Sequence, residues 1–544
     1  MRRTRVCRYG YVILLALPAT VPAQNFAYGS GDWQQLPALS EITSASTGDQ
    51  GLYFSTLDGL LYFDYFTQTL SPLPDLNFGL PERLIYQVYH DRSTLALWVV
   101  YQRGVAFRMP TDYYWREVSF SALPDNFDGR WVTHVGGNYD GIWIDSDGVF
   151  TQLNSFTGQF MRTTLVPPSL PMEWNVSRAD FGFAPDLSGW FGTGEWIATI
   201  RDFVGPGGML AVPTLSIPDQ EQQVWFGTDL GLLFRGDRRV RQLELLHAGY
   251  TPRQVITMLL DGKRVWFADN AYRRTGRPDP LREGFFLTSW DEQAGRWRYY
   301  SGSESELIRD VGVNKMLRVG RRLWLATMEG IALLDTRRGT WDWIGSNDGL
   351  LDPAIWDLAS HGDYVFAATT AGLAMIDTRT LKVVVDTLVT LPRTQVLALL
   401  SDSAALYAGT ISGLYEYGER VESQWRRIFD LPVDALWSSG KDLFVVANNL
   451  VFQRPAHGRL FEPMALKAPN GGKILDIEGY GPYIWLATSA GAVVFDRRDQ
   501  RRFTFTRKDG LPSEIIYALI PTSQWVWFLT SAGVVRFNWG AYFE

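Results

Sequence analysis

Apolar runs of about five residues follow one another along the chain, broken roughly every ten residues by polar, glycine-bearing turns. Short alternating runs of this kind predict β-strands, and the 3.6-residue patterning of helices is absent. The runs are organised into a longer phrase. "WLATSAGAVVFD" (485–496) returns as "YFSTLDGLLYFD" (53–64), "WFGTDLGLLFRG" (225–236), "WLATMEGIALLD" (324–335), "FAATTAGLAMID" (366–377), "YAGTISGLYEYG" (407–418) and "WFLTSAGVVRFN" (527–538). The same aromatic-to-glycine spacing holds at Trp98 and Gly104, and looser copies begin at Trp143, Trp266 and Phe444. Successive gaps between the eleven aromatics are 45, 45, 82, 41, 58, 42, 41, 37, 41 and 42 residues. The 82-residue gap places a worn unit within 164–208, where "GWFGTGEWIATI" is the best fragment; the 58-residue gap holds an insertion, "DNAYRRTGRPDPLREG" (269–284).

Each unit reads as four strands. An apolar strand and turn precede the aromatic strand; a glycine turn leads to a third strand ending at an acid; a polar turn leads to a fourth strand, often Trp-led, as in "WREVSF" and "WDWIGS". Four short strands at a period of 40–45 residues predict an all-β chain of eleven to twelve β-propeller blades. The aromatic would fill the wedge between blades, burying ~200 Å² at ~25 cal/mol/Å² for a gross gain of about 5 kcal/mol before ordering costs. The turn glycine would supply positive φ, and the threonine a hydroxyl that can bond across the turn.

Rings of four to eight blades are usual, so two are expected: an N-terminal propeller over 24–292 and a C-terminal one over 293–544. In that division, strand 32–36 closes the first ring and "RWRYYSG" (296–302) opens and closes the second. A five-plus-seven split, or strand 32–36 joining the last blade, fits the same repeat; the last blade ends soon after its third strand and lacks a fourth.

The first 23 residues stand outside the repeat. "MRRTRVCRYG" carries four arginines and no acid, a short apolar run follows, and Val21-Pro22-Ala23 has small residues at −3 and −1. That is the plan of a secretory signal peptide cleaved after Ala23. Cys7, the only cysteine, leaves with it, so a mature chain has no disulfide, thiolate metal site or cysteine nucleophile. Losing four arginines moves the formal charge from −7 to about −11, which disfavours nucleic acid as a partner. No later run is long enough to predict a membrane span.

The segment "DGLPSEIIYALIPTSQWVWFLTSAGVVRFN" (509–538), and "NDGLLDPAIWDLA" with "WLATMEGIALLD" before it, resemble the two-component regulator propeller repeat. The resemblance covers nearly the whole mature chain. In that family paired propellers commonly form the periplasmic sensor of hybrid histidine kinases, and several recognise oligosaccharides; related exported propellers serve in secretion or surface assembly. The sequence carries no kinase part. The resemblance therefore implies a binding platform for an envelope protein or for an extracellular polymer or oligosaccharide, periplasmic or at the cell surface.

Catalytic chemistry has no signature. His90, His134, His247, His361 and His457 fall in different units without metal-ligand spacing and read as surface or turn residues. Asp145 and Asp147 in "DSDG" open like a calcium loop, but the remaining ligands are missing, and a tight hairpin turn is the better reading. Asp125 and Asp128 read as solvating a loop. No phosphate loop or nucleophile elbow occurs, so no catalytic residue, metal or cofactor is expected. Two irregular places offer binding candidates. One is the insertion, with Tyr272, Arg273, Arg274, Arg277 and Arg282, whose guanidinium forks suit carboxylates and phosphates. The other is the worn unit, where Trp174, Trp190 and Trp196 would stack on sugar rings if exposed. A lyase or hydrolase at a propeller mouth is the rival reading, and convergence of His, Arg and acidic side chains from several blades on one central pocket would favour it.

Overall fold

The computed structural model describes residues 32–543 apart from short internal stretches, the longest being 270–284 and 302–311. The signal segment lies outside the described residues. Among those described, every extended sheet is antiparallel at its core and contains four consecutive strands, save the last. Eleven such blades follow in chain order: 42–71, 85–119, 134–164, 213–247, 255–301, 313–344, 355–384, 396–429, 435–463, 474–505 and 516–537. They are numbered 1 to 11 below. The repeated aromatic occupies the second strand of every blade. Six of these indoles, Trp98, Trp143, Trp225, Trp266, Trp324 and Trp485, are among the largest fully buried side chains.

Blade 11 supplies only three strands of its own. Its fourth is Trp33–Gln35, paired antiparallel with Gly533–Phe537 in the register Trp33↔Phe537, Gln34↔Arg536 and Gln35↔Val535. This strand therefore completes the last blade and not the first, which corrects the primary expectation in favour of its alternative. The gain is apolar: the Trp33 ring stacks 4.5 Å from Phe537 and meets Phe505 of blade 10 edge-on at 6.0 Å. The first strands of blades 5 to 11 adjoin one another in succession, and blade 11 adjoins blade 5. The expected boundary at 292 falls inside blade 5, between its third and fourth strands, Phe285–Asp291 and Arg296–Ser301.

Blades 4, 1, 2 and 3 adjoin in that order. The worn unit between blades 3 and 4 does not form a four-stranded blade among its described residues. It supplies a strap instead. Glu173–Trp174 pairs with the first strand of blade 3, and Val176–Ser177 with the first strand of blade 1. Asn175 between them is buried; its Nδ2 donates to Gln87 Oε1 and its Oδ1 accepts from Val135 N. Gly136 is needed here, because a Cβ would lie 2.6 Å from the Glu173 carbonyl and the Trp174 ring. Beyond the strap, Phe191–Gly192 adds a parallel edge to blade 4, and Ile197–Ala198, Phe203–Val204 and Leu210–Ala211 make a three-stranded sheet.

The turn chemistry repeats with the sheets. In the T-x-x-G turns the threonine hydroxyl donates to the glycine carbonyl, at 2.6–3.0 Å for Thr56, Thr327, Thr369, Thr410, Thr488 and Thr530. It also accepts the amide two residues on, as at Ala490 and Ala532. Gly491 has φ +109°, and a Cβ there would sit 2.3 Å from the Phe505 carbonyl. The acid ending the third strand caps the next turn: Asp64, Asp335 and Asp377 each accept the amides two and three residues later.

Candidate functional site

In nine blades the register of the first strand slips after its first residue, as between Ile355 and Asp357. Such a bulge re-aims the next side chain. In blades 5, 8 and 11 that next residue is Thr257, Ala398 or Ala518. In blades 6, 7 and 10 it is Lys315, Asp357 or Asp476. Glu478 follows two residues after Asp476 on the same strand.

These four charges face one another. Lys315 Nζ is 3.9 Å from Asp357 Oδ1. Lys315 also feels Asp476 and Glu478 of blade 10, which does not adjoin blade 6, so the interaction crosses the hub around which the first strands stand. About half of the Lys315 side chain (51%) stays reachable by water, as expected for a group in a lumen. The Asp357 charge, opposed by desolvation, raises the Lys315 pKa. Desolvation raises the Asp476 carboxyl, Lys315 opposing it. Desolvation and then Asp476 push Glu478 up to about 8. Among the described residues the hub thus brings one cation and three carboxyl groups together, with Glu478 the one pushed up to about 8.

Two carboxylates have structural work. Asp357 accepts Leu358 N and, with its other oxygen, Leu399 N of blade 8. Asp476 accepts Ile477 N and reaches Leu519 N of blade 11. The hydroxyl of Ser44 accepts Val88 N at the same place in blade 1. The position after the bulge therefore stitches a blade to its successor. Glu478 has no hydrogen bond to any described residue.

A second charged group holds the strap. His134 Nε2 lies 2.9 Å from Asp180 Oδ1, and Nδ1 lies 3.7 Å from Asp145 Oδ2. The Asp180 hydrogen bond raises the His134 pKa against desolvation. Asp180 itself is lowered: desolvation opposes, while His134 and the Ser177 amide outweigh it. Sequence reasoning read His134 as a surface or turn residue; it is an ion-pair partner on an inner strand. His90 is buried, its ring stacked 5.3 Å from Tyr53.

The sequence candidates are scattered. Tyr272, Arg273, Arg274, Arg277 and Arg282 lie outside the described residues, although Asp269 and Phe285 place the insertion between the second and third strands of blade 5. The three indoles do not form one exposed platform. Trp196 is 5% exposed, packed edge-on against Phe234 in a core that Trp190 joins. Trp174 belongs to the strap, half-buried beside His134 and Phe150. Packing buries Trp196, while Trp174 and Trp190 remain half-buried in separate clusters. Asp145 and Gly148 close a hairpin through Gly148 N–Asp145 Oδ1 at 2.9 Å, with Asp147 and Gly148 at φ 52° and 84°. Asp128 caps the short 3-10 turn at Gly129–Trp131 by accepting Arg130 N.

No family model and no curated protein matches the chain. Solved structures that are similar include the extracellular domain of BT4673 from B. thetaiotaomicron, assigned to a hybrid two component system, at 13% identity and TM-score 0.44 over 92% of this chain and 70% of that one. The extracellular domain of BT3049 from the same organism, also assigned to a hybrid two component system, has 16% identity and TM-score 0.42, over 92% and 68%. PorZ, a surface component of the type-IX secretion system of Porphyromonas gingivalis, has 12% identity and TM-score 0.38, over 93% and 87%. At these values the likeness concerns the fold alone.

Proposed function

We propose that the chain is an exported, non-catalytic β-propeller whose N-terminal blades bind a partner protein of the cell envelope. We further propose a division of the chain into a seven-blade ring, 255–538 closed by 33–35, and a four-blade arc, 42–247, carried on it. The observation that supports the binding role is an asymmetry of exposure. Of twenty-one large apolar residues exposed among those described, seventeen lie between 66 and 240 and four lie beyond 255. Single exposed apolar residues need no explanation, but their concentration on the smaller part does. Phe66 (96% exposed), Tyr113, Tyr114 and Phe156 occupy the turns between third and fourth strands of blades 1, 2 and 3. Arg116 Nη1 donates to the Phe156 carbonyl, joining the last two turns. The three-stranded sheet of the worn unit buries Ala211 and Phe203 on one face and turns Ile197 and Leu210 outward on the other. Aromatic anchors of this type dominate protein interfaces.

The test is an envelope pull-down with the wild-type chain and with a Phe66→Asp/Tyr113→Asp/Phe156→Asp variant. A protein held by the first and lost by the second supports the reading, and equal retention by both contradicts it. A second reading, a lyase or hydrolase, draws on the hub. Carboxyl groups from two blades and Lys315 of a third face one another there, without the histidine and arginine that the sequence reading asked for. Glu478, pushed up to about 8, would be the candidate general acid. The stitches made by Asp357 and Asp476 explain two of the charges without catalysis. Glu478→Gln separates the readings: partner capture is unchanged for a platform, whereas an enzyme loses turnover.

A further inference from the structure

A different face of the molecule carries a charge that runs against the whole. The chain is acidic overall, at −7. Yet six guanidinium groups gather about one turn of blade 6, Asp335–Gly339. Arg337 and Arg338 stand on the turn and are exposed. Arg318 Nη1 donates to Thr336 Oγ1 at 2.8 Å, and Arg321 Nε meets Asp335 at 2.8 Å. Arg298 of blade 5 approaches from one side, since a Cβ on Gly339 would lie 3.7 Å from its Nη2. Arg322 reaches the other way, donating to the Thr378 carbonyl in the corresponding turn of blade 7. Two carboxylates pair with this group: Asp335 with Arg321, and Asp261 with Arg318 at 3.6 Å. Among the described residues, Arg298, Arg337 and Arg338 make no ion pair within 4 Å, although the Arg338 charge acts on Asp335.

We propose that this arginine patch, spanning blades 5 to 7, binds an acidic polysaccharide through the carboxylates of its uronic acid residues. Three features select that chemistry. Guanidinium forks take carboxylates bidentately, which ammonium groups cannot do, and the patch is built of arginine throughout. It extends across adjacent blades, which suits a linear chain bearing charges at intervals. Its flank is aromatic without being an apolar anchor: Arg298 lies 5.2 Å over the Tyr300 ring, and half-buried Trp341 meets that ring edge-on at 6.1 Å. Among the described residues, the four exposed large apolar ones beyond 255 are Ile411, Leu460, Tyr480 and Ile515, none of them in blades 5 to 7. A peptide partner would want such an anchor here; a sugar polymer does not.

The probe is polygalacturonate, with neutral dextran, poly-glutamate and polyphosphate as comparisons, measured by affinity electrophoresis or calorimetry. The wild-type chain should bind polygalacturonate and not dextran, with affinity falling as salt rises. Arg298→Gln/Arg337→Gln/Arg338→Gln should weaken binding at least tenfold while the chain still folds, with melting followed alongside because Arg298 lies over Tyr300 and the Arg338 charge acts on Asp335. The corresponding triple lysine variant keeps the charge but should weaken binding several-fold by losing the forks. Equal binding by wild type and the glutamine variant overturns the site. Binding of poly-glutamate or polyphosphate without polygalacturonate overturns the glycan assignment. The apolar face of the arc is untouched by these variants, so partner capture fails or survives independently.

Discussion

Trp485 shows what one repeated position contributes. Its ring is fully buried, stacked 5.8 Å from Phe505 of its own blade and edge-on to Phe528 of blade 11 at 6.1 Å. The indole therefore touches both sheets that it separates. Trp485→Ala should lower unfolding stability by about 3–5 kcal/mol, read from a denaturant titration. A loss under about 1 kcal/mol would mean that the neighbouring sheets close over the gap. The aromatic was legible because its period and its burial share one cause, the wedge between blades. The glycine and threonine were legible too, although the hydroxyl makes two bonds where one was expected. The acid at the end of the third strand was visible as a pattern but had no assigned role until its bonds to the following turn were seen. The hub charges left a fainter mark. Thr257, Lys315, Asp357, Ala398, Asp476 and Ala518 all stand nine residues before their aromatic, so aligning the units would have shown charge intruding on a column of small residues. No local motif marks them, because they come together only when the sheets curl around an axis.

At the level of elements, the strap is the least regular and the most charge-dependent part. It replaces a blade with two two-residue pairings, and His134 and Asp180 tie its end to blade 3. The His134 pKa is raised on folding, so its contribution is complete below the ordinary imidazole value near 6.5 and is lost as pH rises through the raised value. Asp180 is lowered, so its contribution holds above the ordinary carboxyl value and is lost as pH falls through the lowered one. The strap should therefore be firmest in mildly acidic solution. Hydrogen exchange of the Asn175 and Ser177 amides should accelerate, beyond the intrinsic pH effect, as pH rises above the ordinary imidazole value near 6.5 in the wild type. His134→Gln should remove that extra acceleration, and its persistence would assign the pH response elsewhere. The strap was not legible in the sequence. Its pairing partners, 136–137 and 44–45, belong to different units, and two-residue strands leave no periodicity to read.

For the whole molecule, the repeat states how many blades there are but not how they divide, because the phrase runs unbroken past residue 255. The division depends on contacts between distant residues. One of these is Tyr250, fully buried, whose hydroxyl accepts Val534 N at 3.2 Å while Leu39 N donates to its carbonyl at 2.9 Å. Another is Arg83, which pairs with Asp58 at 3.2 Å and donates to the Ala532 carbonyl of blade 11. The proposed ring of blades 5 to 11 is the arrangement on which the envelope-protein proposal stands. It requires strand Trp33–Gln35 to complete blade 11. A chain without cysteine after residue 7 allows a clean test. Gln34 and Arg536 are Cα partners across that pairing, at a separation that antiparallel neighbours and disulfides share. With Gln34→Cys and Arg536→Cys together, mild oxidation should give one intramolecular disulfide in nearly every molecule and raise the melting temperature. Free thiols after oxidation, or cross-links between chains in proportion to concentration, would contradict the closure.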